Sequence, residues 1–236
     1  MRLVFVALGA VSIAFHIGLI FYGLVPNLVS RPMHVMLCLP WIFLFPPQTH
    51  RSLITGLLFF VVGEVACLYV VLNESLLSDQ YGALEGDMQL LLAIALLLVI
   101  LEMARRSIGW PLPLVALLAV CYGIFGDKLP GEFGHPGLPI KSFLGTLTIA
   151  EGGIWGSLTG ISINIVAIFV ILGAVLNAGE AGQGFMNLAN AAAGRLRGGA
   201  AKVSVISSAL FGSISGSASA NVASTGAITL PAMRRL

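Results

Sequence analysis

Apolar residues run along this chain in long, nearly uninterrupted stretches. They do not follow the period of 3.6 or 2 that marks a half-buried helix or strand. The first stretch covers residues 3–25 and closes at Pro26-Asn27, and the second, 33–45, is brief and ends at Pro46-Pro47 and a polar run to Arg51. The third is 52–72, the fourth 88–104, the fifth 110–125 and the sixth 154–176. Because about 20 helical residues cross a bilayer core, the pattern predicts an all-α polytopic membrane protein with about six transmembrane helices. Between them lie an acidic polar loop, 73–87, a Gly/Pro-rich loop after Asp127 and a short interfacial helix at 140–149. An amphipathic, Gly-punctuated stretch at 179–199 carries Arg195 and Arg197.

The stretch from Lys202 to Arg235, KVSVISSALFGSISGSASANVASTGAITLPAMRR, breaks the pattern. Its flanks are apolar, its centre at 211–221 is almost wholly Gly, Ser and Ala, and positive charge closes both ends. Two crossings need roughly 40 residues and a turn, more than this stretch holds. Two arms, 203–213 and 222–233, would each reach roughly 16 Å. The stretch therefore predicts a re-entrant helical hairpin with its tip near the middle of the membrane and both ends on one side.

Composition supports a membrane class and excludes others. The 236 residues are 58% hydrophobic and 9% charged, outside the balance of a water-soluble core. The net charge of +2 gives no sign of nucleic acid, because the cations fall at segment ends and not along one face. Cys38, Cys67 and Cys121 occur singly, without the spacing of a zinc site or a disulfide framework. Arg2 precedes an apolar run as in a signal peptide, yet the run contains His16 and lacks a small-residue cleavage site, so it reads as a helix that is kept.

Counting Lys and Arg in short loops orients the chain. Placing Arg2, Arg51, Arg105, Arg106, Arg195, Arg197 and Lys202 inside puts the N-terminus and the mouth of the hairpin on the cytoplasmic side. Arg31, Lys128 and Lys141 then lie outside, against the rule. Trp110 and Trp155 open the fifth and sixth spans, where amphipathic rings favour the interface.

His16 and Glu64 are the ionisable residues deep within spans, at similar depth on helices running in the same direction. They form a candidate intramembrane pair, since an unpartnered charge there costs at least about 2.5 kcal/mol. The alternative is that each faces an interior polar gap. Glu102 with Arg105 and Arg106, spaced i+3 and i+4, reads as a local ion pair. In the hairpin, a phosphate loop is excluded because no Lys follows the glycines, and a nucleophile elbow because Ile214 stands where its serine would be. No His follows His135 to serve a serine hydrolase, so no enzyme is expected. What remains is a concentration of small polar side chains, the hydroxyls of Ser213, Ser215, Ser217, Ser219, Ser224 and Thr225 and the amide of Asn221, with glycines that allow unwound backbone. Hard oxygens of this kind suit Na⁺, and the helix N-terminus of the second arm suits an anion. Tight helix packing by small residues is the competing explanation.

The segment GRLRGGAAKVSVISSALFGSISGSASANVASTGAITLPAMRR resembles the first hairpin in the large membrane subunit of tripartite ATP-independent periplasmic (TRAP) transporters. EGGIWGSLTGISINIVAIFVILGAVLNAGEAGQGF, LEMARRSIGWPLPLVALLAVCYGIFG and RPMHVMLCLPWIFLFPP are similar to fused permeases of the TAXI subgroup. The resemblance implies an elevator-type secondary transporter of a bacterial inner membrane. It would be driven by a Na⁺ gradient and import an organic acid delivered by a periplasmic binding protein. By position, the tip would contribute Na⁺ ligands from Gly212, Ser213, Ser215 and Ser217, and substrate contacts from Ser215, Gly216, Ser217, Ser219, Asn221 and Thr225. No other cofactor is implied. Residues 1–107 would correspond to a small four-helix subunit, 108–130 to a connecting helix and 131–236 to the start of the transport subunit. Family members continue past a second hairpin, so the expectation is a fragment that does not transport alone. A non-catalytic membrane scaffold or assembly subunit is the alternative.

Overall fold

The computed structural model describes residues 2–45, 50–179, 181–214, 221–222, 225–226, 229–230 and 233. Among the described residues the chain forms helices and turns and no strand. Five helices are long and apolar enough to cross a membrane: Leu3–Tyr22, Ser52–Leu72, Gly86–Ile108, Pro111–Lys128 and Ser157–Leu176. The all-α polytopic expectation therefore holds.

The second expected span behaves differently. Helix α2 (Asn27–Phe43) begins six residues before the predicted 33, with Pro32 and Pro40 inside it. It starts there because Pro26, extended at φ −53 and ψ 144, caps it, its carbonyl accepting from the amides of Val29 and Ser30 and from the Ser30 hydroxyl. At 17 residues it measures roughly 25 Å, short of the roughly 30 Å of hydrocarbon. It is a core helix, with Leu28, Val35, Leu39 and Phe43 all buried.

The chain divides into two compact units, Met1–Ile161 and Ser162–Leu236. The break falls after the residues 108–130 that the sequence marks as a connector. In the first unit, α2 packs against α3 (His50–Leu72) and α5 (Gly86–Ile108) around Leu39, Cys67, Leu96 and Val99. Gly63 permits the three-helix contact, because a Cβ there would stand 2.8 Å from Leu39 and 3.0 Å from Val99. At one end of this bundle Glu102 holds Arg105 at 2.6 Å and Arg106 at 2.8 Å, and the Arg106 guanidinium lies 5.1 Å over the Phe43 ring. The i+3 and i+4 ion pairs are as the sequence implies. Helix α6 (Pro111–Phe125) follows, with the Arg105 guanidinium 5.3 Å from the Trp110 ring.

The opposite end of the unit gathers the N-terminus of α2, the short helix α4 (Glu74–Asp79) and α7 (Ile140–Thr148). The interfacial helix predicted at 140–149 is thus present. Trp155 is fully buried, its indole N–H donating to the Thr148 carbonyl at 2.7 Å, while its own carbonyl accepts from Arg31. Asn27 donates to Glu151 at 3.1 Å. Helix α1 (Arg2–Tyr22) is largely exposed and meets α2 through Phe5, which packs on Trp41 and Phe45 at centroid distances of 5.3 and 4.9 Å, and through His16.

The first unit closes with the short helix α8 (Ser157–Ile161), and in the second unit a π-helical turn (Ser162–Val166) leads into α9 (Ala167–Ala178), then α10 (Ala181–Ala193) and α11 (Gly199–Ile214). Met186, Ala189, Ala193 and Val203 are buried between α10 and α11, and the Phe185 and Phe211 rings meet edge to face at 5.6 Å. The first arm of the hairpin is longer than predicted because the helix starts at Gly199, just past Gly198 at φ 68. The described residues of the second arm, 221–222, 225–226, 229–230 and 233, are helical.

One contact in the first unit depends on a missing side chain. A Cβ on Gly145 would stand 2.0 Å from the carbonyl oxygen of Gly82, which itself has φ 85. Gly145→Ala is expected to cost about 1–3 kcal/mol by overpacking, read as a lower midpoint in thermal unfolding of the detergent-solubilised protein. Gly152→Ala, where no atom lies within 4 Å, should leave the midpoint unchanged.

Candidate ion and substrate site in the hairpin

The site is built on the facing sides of α11 and the second arm. Residues 221, 225 and 229 recur every four positions, which places them on one helical face, and Ser204 and Ser208 do the same on α11. The Asn221 side-chain amide donates to the Ser208 carbonyl at 3.0 Å. Gly212 lies beside this contact, and a Cβ on it would stand 3.2 Å from the Asn221 nitrogen. Here the glycine serves close approach. The Thr225 hydroxyl donates to the Asn221 carbonyl and the Thr229 hydroxyl to the Thr225 carbonyl, both at 2.8 Å. Ser204 donates to the Thr229 hydroxyl at 3.2 Å, and Ser207, fully buried, donates to the Ser204 carbonyl at 3.1 Å. Thr225 and Thr229 are buried as well. The two arms run antiparallel, joined by a seam of hydroxyls and one amide.

Within that seam the Asn221 side-chain oxygen, Oδ1, is buried and has no hydrogen-bond partner among the described residues. A buried acceptor left unpaired costs about 1–3 kcal/mol, so it marks a position where a cation or a donor would be stabilised. Gly212 and Ser213, on the last described turn of α11, are exposed, and the Ser213 hydroxyl donates back to the Leu210 carbonyl at 2.7 Å. Of the residues singled out in the sequence, Gly212, Asn221 and Thr225 therefore come together around the seam, with Ser213 beside them on the same turn. Ser215, Gly216, Ser217, Ser219 and Ser224 lie outside the described residues. Ser204, Ser207, Ser208 and Thr229 were missed, and the four-residue repeat 221, 225, 229 is the signal that would have found the last of them.

The intramembrane residues His16 and Glu64 are not joined to each other. His16 is buried, its Nδ1–H donating to the Ser12 carbonyl at 2.6 Å and its Nε2 lying 2.8 Å from Nδ1 of His34. With Nδ1 of His16 spent as a donor, Nε2 is the acceptor and His34 the donor, an arrangement two neutral rings satisfy. The partner is His34 because α1 packs along α2 and the rings meet edge to face, with centroids 5.0 Å apart. Glu64, half-buried on α3, makes no hydrogen bond or ion pair among the described residues. Among the described residues there is no group of three His, Cys, Asp or Glu placed to hold a metal ion.

Antiparallel helical arms with a polar seam, in a chain of membrane-length helices, are an arrangement found in membrane transport proteins. Residues 95–236 match the family described as Tripartite ATP-independent periplasmic transporter, DctM component, and the chain belongs to that family, one of transporters and not of enzymes. The Isethionate TRAP transporter permease protein DctMQ of Oleidesulfovibrio alaskensis is 36% identical over 126 residues, covering 45% of this chain and 20% of that protein. The uncharacterised YgiK of Salmonella typhimurium is 39% identical over 74 residues, covering 31% of this chain and 17% of that protein. The uncharacterised y4mL of Sinorhizobium fredii is 33% identical over 85 residues, covering 36% and 20% respectively. The chain thus spans about a fifth of the length of the curated relatives it matches. No solved structure matches it significantly.

A double-mutant cycle separates the two partners considered for His16. His16→Ala with His34→Ala is expected to show coupling of about 0.6 kcal/mol or more in thermal unfolding, the scale of interhelical hydrogen bonds in membranes. His16→Ala with Glu64→Gln should be additive within about 0.5 kcal/mol. The reverse ranking would restore the His16–Glu64 pair.

Proposed function

We propose that this chain is the N-terminal part of a fused TRAP permease of the TAXI subgroup. It would belong to a Na⁺-coupled secondary transporter that imports an organic acid from a periplasmic binding protein by an elevator movement. The location is the bacterial inner membrane, with the N-terminus and the Arg105/Arg106 end cytoplasmic. Family membership supports the transporter part of this reading, and the isethionate permease among the relatives supports a small organic anion as substrate.

The observation that carries the site is the unpartnered Asn221 Oδ1. An unpaired acceptor repels a carboxylate oxygen and attracts a cation, so the seam favours Asn221 as a Na⁺ ligand over the substrate contact that the resemblance implies. Gly212 and Ser213 would offer further oxygens from the α11 terminus. Substrate anion would be met by donors near the start of the second arm, where the helix dipole is positive. Residues 1–107 would brace the moving part. The dense packing of α2, α3 and α5 suits that role.

The decisive measurement is uptake into proteoliposomes by the complete transporter with its binding protein, with and without an inward Na⁺ gradient. Uptake should depend on the gradient, and equal uptake in both would sink the Na⁺ assignment. Asn221→Ala should raise the Na⁺ concentration giving half-maximal uptake by about tenfold or more, because a ligand bond to a charged partner is worth about 1.5–3 kcal/mol. Affinity of the binding protein for the substrate should not move.

A further inference from the structure

The corner between α10 and α11 carries chemistry that the seam does not use. After Glu180 the chain contains no Asp or Glu, but it contains Arg195, Arg197, Lys202, Arg234 and Arg235. Arg195 and Arg197 sit in the exposed turn between Ala193 and Gly199, and Lys202 is exposed one turn into α11. None of these three side chains has a hydrogen bond or an ion pair among the described residues. Several other cations of the fold are engaged: Arg31 by the Trp155 carbonyl, Arg105 and Arg106 by Glu102, Lys141 by Asp87 at 3.5 Å and Lys128 by the Phe125 ring.

A groove of about 370 Å³ lies against Lys202, with Leu196, the residue between Arg195 and Arg197, in its wall. Its walls are apolar, from Ala192 and Leu196 on one side to Ala201, Val205 and Ile206 on the other, with Lys202 at the lip. Leu196 is 53% and Val205 70% exposed. The N-terminus of the 16-residue α11 opens at Gly199, adding the partial positive charge of its unpaired amides. Three unpaired cations and a helix N-terminus against an apolar groove complement a ligand that is anionic at one end and hydrocarbon at the other.

We infer that the α10–α11 corner binds an anionic phospholipid. The headgroup phosphate lies among Arg195, Arg197, Lys202 and the start of α11, and one acyl chain lies along Leu196 and Val205. A free phosphate would use the cations but leave the groove without purpose. A neutral lipid would use the groove but leave three charges unmatched.

The test uses the whole chain in detergent micelles with two photoactivatable probes. They carry the same diazirine-labelled acyl chain, one on phosphatidylglycerol and one on phosphatidylcholine. Crosslinked peptides are located by mass spectrometry. The glycerol lipid is expected to label residues 192–206 about tenfold more than the choline lipid, the scale set by a few cations acting on an anionic surface. The triple variant Arg195→Gln/Arg197→Gln/Lys202→Gln should lose that preference while both lipids label other segments as before. Ala192→Trp, which fills the groove without removing charge, should lower labelling of 192–206 by the glycerol lipid severalfold. Equal labelling by the two probes in the unaltered chain would overturn the proposal. So would a preference that survives the triple variant, or millimolar inorganic phosphate displacing the glycerol lipid from the corner.

Discussion

A polar group inside hydrocarbon has no water to fall back on, so each donor and acceptor must find its partner within the protein. The seam between α11 and the second hairpin arm meets this demand one contact at a time. Thr225 and Thr229 return their hydroxyls to carbonyls four residues back, and Ser204 reaches across to Thr229. Asn221 bridges to a carbonyl of the facing helix. Against that background of satisfied groups, the Asn221 oxygen left without a partner among the described residues is informative. The same constraint acts in the first unit, where two histidines satisfy each other and Ser12.

The cations that disobey the charge rule have a structural explanation. Arg31 and Lys141 stand at the end of the first unit opposite Arg105 and Arg106, where a simple count of Lys and Arg disfavours them. Each has work to do there: Arg31 holds the Trp155 carbonyl and thereby the turn after α7, and Lys141 faces Asp87 at the start of α5. A cation engaged in the fold says less about topology than a cation left to the membrane surface. The three on the α10–α11 corner are of the second kind.

Membrane-length helices, the interfacial helix at 140–149 and the first arm of the hairpin were legible because uninterrupted apolar runs and flanking charges mark them directly. Helix α2 was read as starting too late, since Arg31-Pro32 looks like loop chemistry. In place, Pro26 supplies the cap, and Pro32 falls within the helix. The partner of His16 was not legible, because depth in the membrane is read from sequence while the angular position that decides between α2 and α3 is not. Within the site, composition pointed to Gly212, Asn221 and Thr225. The pairing of arms that adds Ser204, Ser208 and Thr229 depends on register, which tertiary packing sets.

The hairpin separates opposite charges by its geometry. The described part of α11 runs toward the tip and the described part of the second arm runs away from it; a helix that ends near a tip carries partial negative charge on its last carbonyls, and one that begins there carries partial positive charge on its first amides. On the proposed reading such a hairpin would offer a cation and an anion neighbouring sites without any ionised side chain, and the chain has none between Lys202 and Arg234. A fixed carboxylate at that depth would bind Na⁺ more strongly, yet it would repel an organic anion and carry a desolvation cost whenever the site emptied. Dipoles and hydroxyls cost less to leave empty. On the proposed reading, a site that loads on one side of a membrane and unloads on the other would be better served by such neutral oxygens, and Asn221 would supply one where an Asp would be too strong.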